Sequence, residues 1–295
     1  VPDRPRPGRD FSVIRVGPLW RVTRPLHPVL EPYVHERAAY VGGPRSHYAV
    51  RLVPTGRVAL IVNFGPPYTR FARLRDPQPR TRPIGSLFSG LEDSPGVCEH
   101  PGDHDALRVE LTPLGAYRLL AMPLSELSNS VVELRDVLGR EADELAERLA
   151  ATRDWTRRFD LLDNALLARV DEGPAAAPQV AHAWRLITTA PGAAPIAKIA
   201  DEVGWSHKHL LRRFTQQVGL TPKAVARVAR FQQALSMLSR PGAAGLAEVS
   251  AACGFYDQAH LSRDFRELAG ASPKQCATSP WAANRAVDLD AKVAV

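Results

Sequence analysis

Apolar residues follow one period before Thr112 and another after it. Over 11–112 they come in short runs cut by Gly and Pro. The runs 11–16, 48–53, 58–64 and 107–111 are rich in β-branched residues and have strand length. Pro54-Thr55-Gly56 separates the second run from the third, which predicts a hairpin over 48–64, closed by Gly65-Pro66-Pro67. A short helix is expected over 28–40. The Pro- and Arg-rich stretch 73–83 reads as an exposed loop. From Pro113 to Val170 the period becomes helical, with Leu145, Leu149, Trp155, Phe159, Leu162 and Leu166 marking apolar faces among acids. Thr112 and Asp154 stand where N-caps belong. Asp171 to Pro178 is small, Pro-containing and acidic at its start, and reads as a linker.

Over 196–277 the helical period carries one pattern twice. The first copy has Ile196, Ile199, Ala200, Val203, Gly204, Trp205 and Ser206, then His209-Leu210, Arg212, Phe214, Gly219 and Thr221-Pro222-Lys223. The second has Leu246, Val249, Ser250, Cys253, Gly254, Phe255 and Tyr256, then His260-Leu261, Arg263, Phe265, Gly270 and Ser272-Pro273-Lys274, with one residue inserted before His260. Each copy predicts two helices and a tight turn. Ala200 and Ser250 are small where a second helix crosses. Gly204 and Gly254 end the first helix, because the turn wants positive φ. Ser206 and Asp257 cap the second. In that second helix Leu210, Phe214 and Val218 face inward, as do Leu261 and Phe265. Lys208, Arg212 and Thr215 face out in the first copy; Ala259, Ser262, Arg263 and Arg266 do so in the second. Gln258 sits at the first turn. A basic face opposite an anchored apolar face is what a helix needs to lie in a DNA major groove. Between the copies, Thr221-Pro222 starts a helix with the apolar stripe Val225, Val228, Phe231, Leu235 and Leu238; Arg240-Pro241-Gly242 ends it.

The doubled unit resembles the AraC/XylS family of transcription regulators over 179–280. The resemblance implies an all-α unit in which a linker helix joins two reading helices. Arg230, Ala234 and Leu238 match a four-residue rhythm common in that linker. By resemblance, base-edge contacts fall on Lys208, Leu211 and Arg212, and on Gln258, Ala259 and Arg263; Leu211 and Ala259, being apolar, suit thymine methyls rather than hydrogen bonds. Ser206, His207, Thr215 and Arg266 complete the expected DNA-facing set, with His207 open either to a phosphate or simply to water. Over 54–65 and 111–127 the N-terminal part resembles regulators whose sensor domain is uncharacterised. In the wider family that domain is often a β-barrel that binds a small effector and dimerises.

Charge changes the picture only in the C-terminal part. The net charge is +7. Residues 179–280 hold 12 Lys and Arg against 6 Asp and Glu, whereas 101–178 hold 9 against 15. A basic block of this kind agrees with phosphate contact. No apolar run approaches a membrane span, and no secretion signal is seen. Three scattered cysteines form no framework, which points to a reducing cytoplasm.

Other candidates read more simply. Cys98, Glu99, His100, Asp103, His104 and Asp105 hold metal-ligand types, but Pro101-Gly102 makes the stretch a turn, and metal binding is not expected. His209 and His260 occupy equivalent places and read as packing residues. Cys253 and Cys276 read as core. Trp20 and Tyr48 are candidates to line a pocket. No nucleophile elbow, P-loop or dinucleotide fingerprint occurs.

The expected fold is α+β, a β-rich N-terminal domain with a helical extension followed by an all-α domain with two helix-turn-helix units. The expected division is a disordered arm (1–10), an effector-binding and dimerisation domain (11–170), a linker (171–178), a DNA-binding domain (179–280) and a loose tail (281–295). The expected function is sequence-specific transcriptional control, with duplex DNA, RNA polymerase and a small effector as partners, a possible homodimer, no membrane and no cofactor. The competing classes are a DNA-targeted enzyme and a constitutive DNA binder with a structural N-terminal domain.

Overall fold

The computed structural model describes residues 10–278 apart from 17–18, 44–46, 74–81, 191–194 and 241–244. The expected arm and tail, most of the 73–83 loop and the Pro241-Gly242 stop lie outside the described residues. In chain order the strands are β1 Ser12–Val16, β2 Leu19–Thr23, β3 Val34–Gly42, β4 Tyr48–Leu52, β5 Val58–Asn63, β6 Arg70–Arg73, β7 Leu87–Ser89, β8 Gly96–His100, β9 His104–Leu111 and β10 Val131–Glu133. The helices are α1 Pro113–Leu120, α2 Leu134–Leu138, α3 Arg140–Ala151, α4 Trp155–Glu172, α5 Pro178–Thr189, α6 Ile196–Glu202, α7 His207–Val218, α8 Pro222–Leu238, α9 Leu246–Ala252, α10 Gln258–Ala269 and α11 Pro273–Thr278. A β-rich N-terminal part thus precedes a helical C-terminal part.

The strands form two antiparallel sheets, one in the order β1-β2-β3-β9-β5-β7-β10 and one in the order β4-β8-β6. Alternation along β5 and β9 sorts the two faces of the larger sheet. Val58, Leu60, Val62, Leu107, Val109 and Leu111 are buried in one core with Leu119 of α1 and Phe159 and Leu162 of α4. The intervening Ala59, Ile61, His104 and Arg108 line the space between the sheets.

Two expectations fail here. Residues 48–64 are not a hairpin: β4 pairs with β8, while β5 pairs with β7 and β9 in the other sheet. The connection over 53–57 is a corner, and Val53 and Pro54 are buried rather than exposed as turn tips. Val53 packs beside Val228 and Phe231 of α8. Nor do residues 28–40 form a helix. Pro28–Leu30 makes one 3-10 turn, and β3 follows, hydrogen-bonded on both edges to β2 and β9. Two ladders outweigh the weak helical preference of a segment containing Val34, Tyr40 and Val41.

Arg37 of β3 is wholly buried and meets Asp163 of α4 through two contacts, Nε to Oδ1 at 2.5 Å and Nη2 to Oδ2 at 2.6 Å. Two further N–H groups reach the carbonyls of Arg24 and Pro25. Phe159 lies under the guanidinium at 4.9 Å. Four of the five N–H groups of the buried cation are thereby directed at acceptors, and its charge is paired, which is the condition for keeping a charge inside.

The caps fall where the residues place them. Thr112 accepts from the Gly115 N–H at 3.0 Å, Asp154 from Arg157 at 2.8 Å, and Thr221 from Ala224 at 3.2 Å. One core runs unbroken from the larger sheet through α5, α6 and α7 to Val225 and Ala226 at the start of α8. A second core holds the rest of α8 with α9, α10 and α11, and Val53 from the corner joins it.

Candidate nucleic-acid interface and the cavity between the sheets

The two copies of the sequence pattern fold alike. Gly204 and Gly254 have φ of +73° and +71°, so each turns the chain sharply at the end of α6 and α9. Ser206 caps α7 by accepting from the His209 N–H at 3.3 Å; Asp257 caps α10 by accepting from His260 at 2.6 Å. Leu210, Phe214 and Val218 are buried, and so are Leu261 and Phe265. Phe255 is buried, whereas Trp205 is only partly covered and meets His209 edge-on at 4.5 Å. His260 stands likewise against Phe255 at 5.4 Å. Both histidines are therefore packing groups of the turn.

The inner face of α10 packs on α8, and that of α7 packs with α1, α5, α6 and the start of α8. Val225, Val228, Phe231, Leu235 and Leu238 are buried along its length. Seventeen residues at about 1.5 Å per residue make α8 about 26 Å long. Arg227 of α8 donates to Asp264 of α10 at 2.8 Å and also to Glu267. Burial works against the Arg227 cation, but the two carboxylates outweigh it and raise its pKa above the ordinary value.

The outer faces carry the residues singled out in the sequence. Ser206, His207, Lys208 and Arg212 are exposed, as are Gln258, Ala259, Arg263 and Arg266; Leu211 and Thr215 are partly covered. Lys208, Arg212, Arg263 and Arg266 have no ion pair among the described residues, in contrast to Arg227. Tyr256 directly precedes the capping residue of α10 and is 93% exposed, a position the sequence reading passed over.

The first helix has a neighbour that sequence spacing did not reveal. Residues 124–126 form a 3-10 turn of the N-terminal part, and it lies against α7. Pro123, Ser125 and Glu126 face Leu211, Arg212, Thr215 and Gln216 across an open groove. Behind it, Ser128 Oγ donates to the Gly219 carbonyl at 2.5 Å, and the Ala177 N–H donates to Gln217 Oε1 at 2.9 Å.

A separate cavity of about 150 Å³ lies between the two sheets. Tyr48 lines it, as the sequence suggested; Trp20 does not and instead lies under Arg15 at 5.8 Å. The turn expected at Pro101-Gly102 joins β8 to β9 and brings His100 and His104 together. The Gly102 N–H donates to His100 Nδ1 at 3.3 Å, so His100 carries its proton on Nε2 and donates it to His104 Nδ1 at 2.9 Å. His104 Nε2 in turn reaches Tyr68 Oη at 3.3 Å. Burial lowers the pKa of both, His104 to about 3, with the neighbouring His100 and Arg108 adding to the effect. Among the described residues no group of three or more His, Cys, Asp or Glu side chains is placed to hold a metal. Cys98, Cys253 and Cys276 are buried free thiols, and burial raises the pKa of Cys276 to about 12. Thiols held protonated in this way are poor nucleophiles.

A family model described as a helix-turn-helix domain matches residues 179–279. The C-terminal region is an AraC-type helix-turn-helix domain. A second model, the domain of unknown function DUF6597, matches residues 23–133 and so covers β3 to β10. A stretch of 65 residues is 38% identical to an uncharacterized HTH-type transcriptional regulator, YbfI, of Bacillus subtilis. That stretch is 21% of this chain and 22% of YbfI, so the match spans about a fifth of the relative's length. Among solved structures, apo ToxT from Vibrio cholerae is similar at 10% identity with a TM-score of 0.45, over 81% of this chain and 96% of that one. A transcriptional regulator with an AraC-type DNA-binding domain from Chromobacterium violaceum is similar at 24% identity with a TM-score of 0.32, over 36% of this chain and 92% of that one. Within the matched segment, α7 and α10 are the second helices of the two helix-turn-helix units, and α8 joins the units.

Proposed function

We propose that this chain is a DNA-binding transcriptional regulator, not an enzyme, controlled by a small molecule held between its sheets. One observation carries the DNA reading. Two equivalent helices joined through α8 expose cations that have no ion pair among the described residues, Lys208 and Arg212 on α7 and Arg263 and Arg266 on α10. Cations left unpaired on a protein surface beside a capped helix start suit phosphates and guanine edges. Ser206, His207, Leu211, Thr215, Gln258 and Ala259 complete the proposed contact set. The cavity between the sheets favours effector control over a purely structural N-terminal domain. In this reading 11–170 sense and pair, 171–178 connect, and 179–280 bind DNA in the cytoplasm, where RNA polymerase is met.

The test uses a duplex selected by the protein itself from a random pool. Arg212→Ala and Arg263→Ala are compared with wild type by fluorescence anisotropy over a range of salt. A residue that reads a guanine costs about 1–3 kcal/mol on the selected site and relaxes the preference at one base pair. A phosphate contact weakens all duplexes alike and lowers the salt slope by about 1. Unchanged curves for both variants would remove α7 and α10 from the interface.

A further inference from the structure

We propose that the cavity between the sheets binds a small organic carboxylate whose apolar body is about the size of one six-membered ring, with Arg57 as its anion partner. This deepens the effector reading above and rests on it.

The size comes first. A cavity of about 150 Å³ is the size of one that takes benzene. Its walls are apolar and aromatic, with Val50, Ile61, Leu87, Tyr48 and Tyr68 prominent. A larger lipid or a sugar with many hydroxyls does not match that lining. In the His100–His104–Tyr68 chain all four imidazole nitrogens are engaged, so the two histidines offer a ligand little but surface.

The charge comes second. Arg57, Glu92 and Arg108 are the Arg, Asp and Glu side chains that line the cavity. Arg108 pairs with Glu110 at 3.0 Å. Glu92 accepts from Ser89 and has a further partner. Arg57 alone has neither a side-chain hydrogen bond nor an ion pair among the described residues, although it is partly buried and only the field of Glu110 is felt there. Burial works against this cation, and a carboxylate meeting the guanidinium in two places would offset that. Buried Arg108 Nε, which has no hydrogen-bond partner among the described residues, adds positive potential to the same cavity.

The place of Arg57 explains how occupancy is felt elsewhere. Thr55 and Arg57 line both this cavity and a second groove shared with Trp184 and Gln232. They belong to the corner whose Pro54 carbonyl accepts from Gln232 of α8 and whose Val53 packs on that helix. An anion drawn to Arg57 therefore acts on the corner that props the linker between the two reading helices.

The experiment is calorimetric titration of the full chain at pH 7, without DNA, using benzoate and hexanoate and their neutral analogues benzamide and hexanamide. At least one carboxylate should bind with one site per chain and at least tenfold more tightly than its own amide. Arg57→Gln should erase that preference, and Ile61→Trp, which fills the cavity, should abolish binding while the circular dichroism spectrum stays native. If a variant does not fold, the carboxylate-to-amide ratio on the wild-type chain decides. The proposal is overturned if neither carboxylate binds, if amides bind as tightly, or if Arg57→Gln binds as wild type does. Because no duplex is present, such a failure leaves the Arg212 and Arg263 results standing, and their failure leaves this one standing.

Discussion

Ser128 gives its hydroxyl hydrogen to the carbonyl oxygen of Gly219, 2.5 Å away and ninety-one residues further along the chain. The contact joins the end of the 124–126 turn to the end of α7. It also explains why residue 219 has no side chain. Gly219 has φ of +105°, and a Cβ built there would lie 2.8 Å from Ser128 Oγ and 3.3 Å from the Leu124 carbonyl.

Gly219→Ala should therefore cost more than Gly204→Ala. Both place a side chain at positive φ, which costs about 1–2 kcal/mol. Only the first also meets atoms, because nothing lies within 4 Å of a Cβ at Gly204. Urea unfolding of the two variants should rank them in that order, and Ser128→Ala should lose about 1 kcal/mol. Equal losses for the two glycines would mean that the close approach does not exist.

Asp163→Ala should be among the most damaging single changes in the chain. It leaves the Arg37 guanidinium buried and uncompensated, and breaking such a pair costs about 3–5 kcal/mol. Replacing both partners by apolar residues, Arg37→Met with Asp163→Leu, should recover much of the loss. Chemical denaturation of the single and double variants measures both values, and a double variant no better than the single would refute the account.

Stability should fall as the medium is acidified from pH 7 towards pH 4. His100 and His104 have folded pKa values below their ordinary 6.5, that of His104 at about 3. Between those values the unfolded chain takes up protons that the folded chain refuses, so the unfolded state gains. The loss begins near the unfolded pKa and is complete only below the folded one. Melting temperatures of wild type and His104→Gln across this range should converge at low pH. Asp105, raised by burial despite Arg158, is common to both proteins and cancels in the comparison.

The C-terminal helices were legible because their signals are local. Cap, apolar spacing and turn glycine lie within a dozen residues of one another, and the doubling supplies an internal check. Residues 48–64 and 28–40 were misread because sheet membership is decided by distant partners. Nothing near Pro54 says that β4 will pair with β8 rather than with β5. The outward residues of α7 and α10 follow from helical phase, and their proposed assignment to DNA came from the family resemblance. Arg57 could not be named in either way, since its isolation depends on Arg108 having taken Glu110. The alternation Leu107-Arg108-Val109-Glu110-Leu111 did hold the hint that charged groups line one face of a buried strand.

The frontier between the two cores crosses α8 in its second turn, after Ala226 and before Val228. The segment 179–280 is therefore one unit by ancestry and two by cohesion. Cut free at Pro178, its later half would keep its own interior. Its earlier half would be left with a bare flank where α1 and the 124–126 turn had covered it, and an assay on such a fragment would report on a molecule the intact chain never presents.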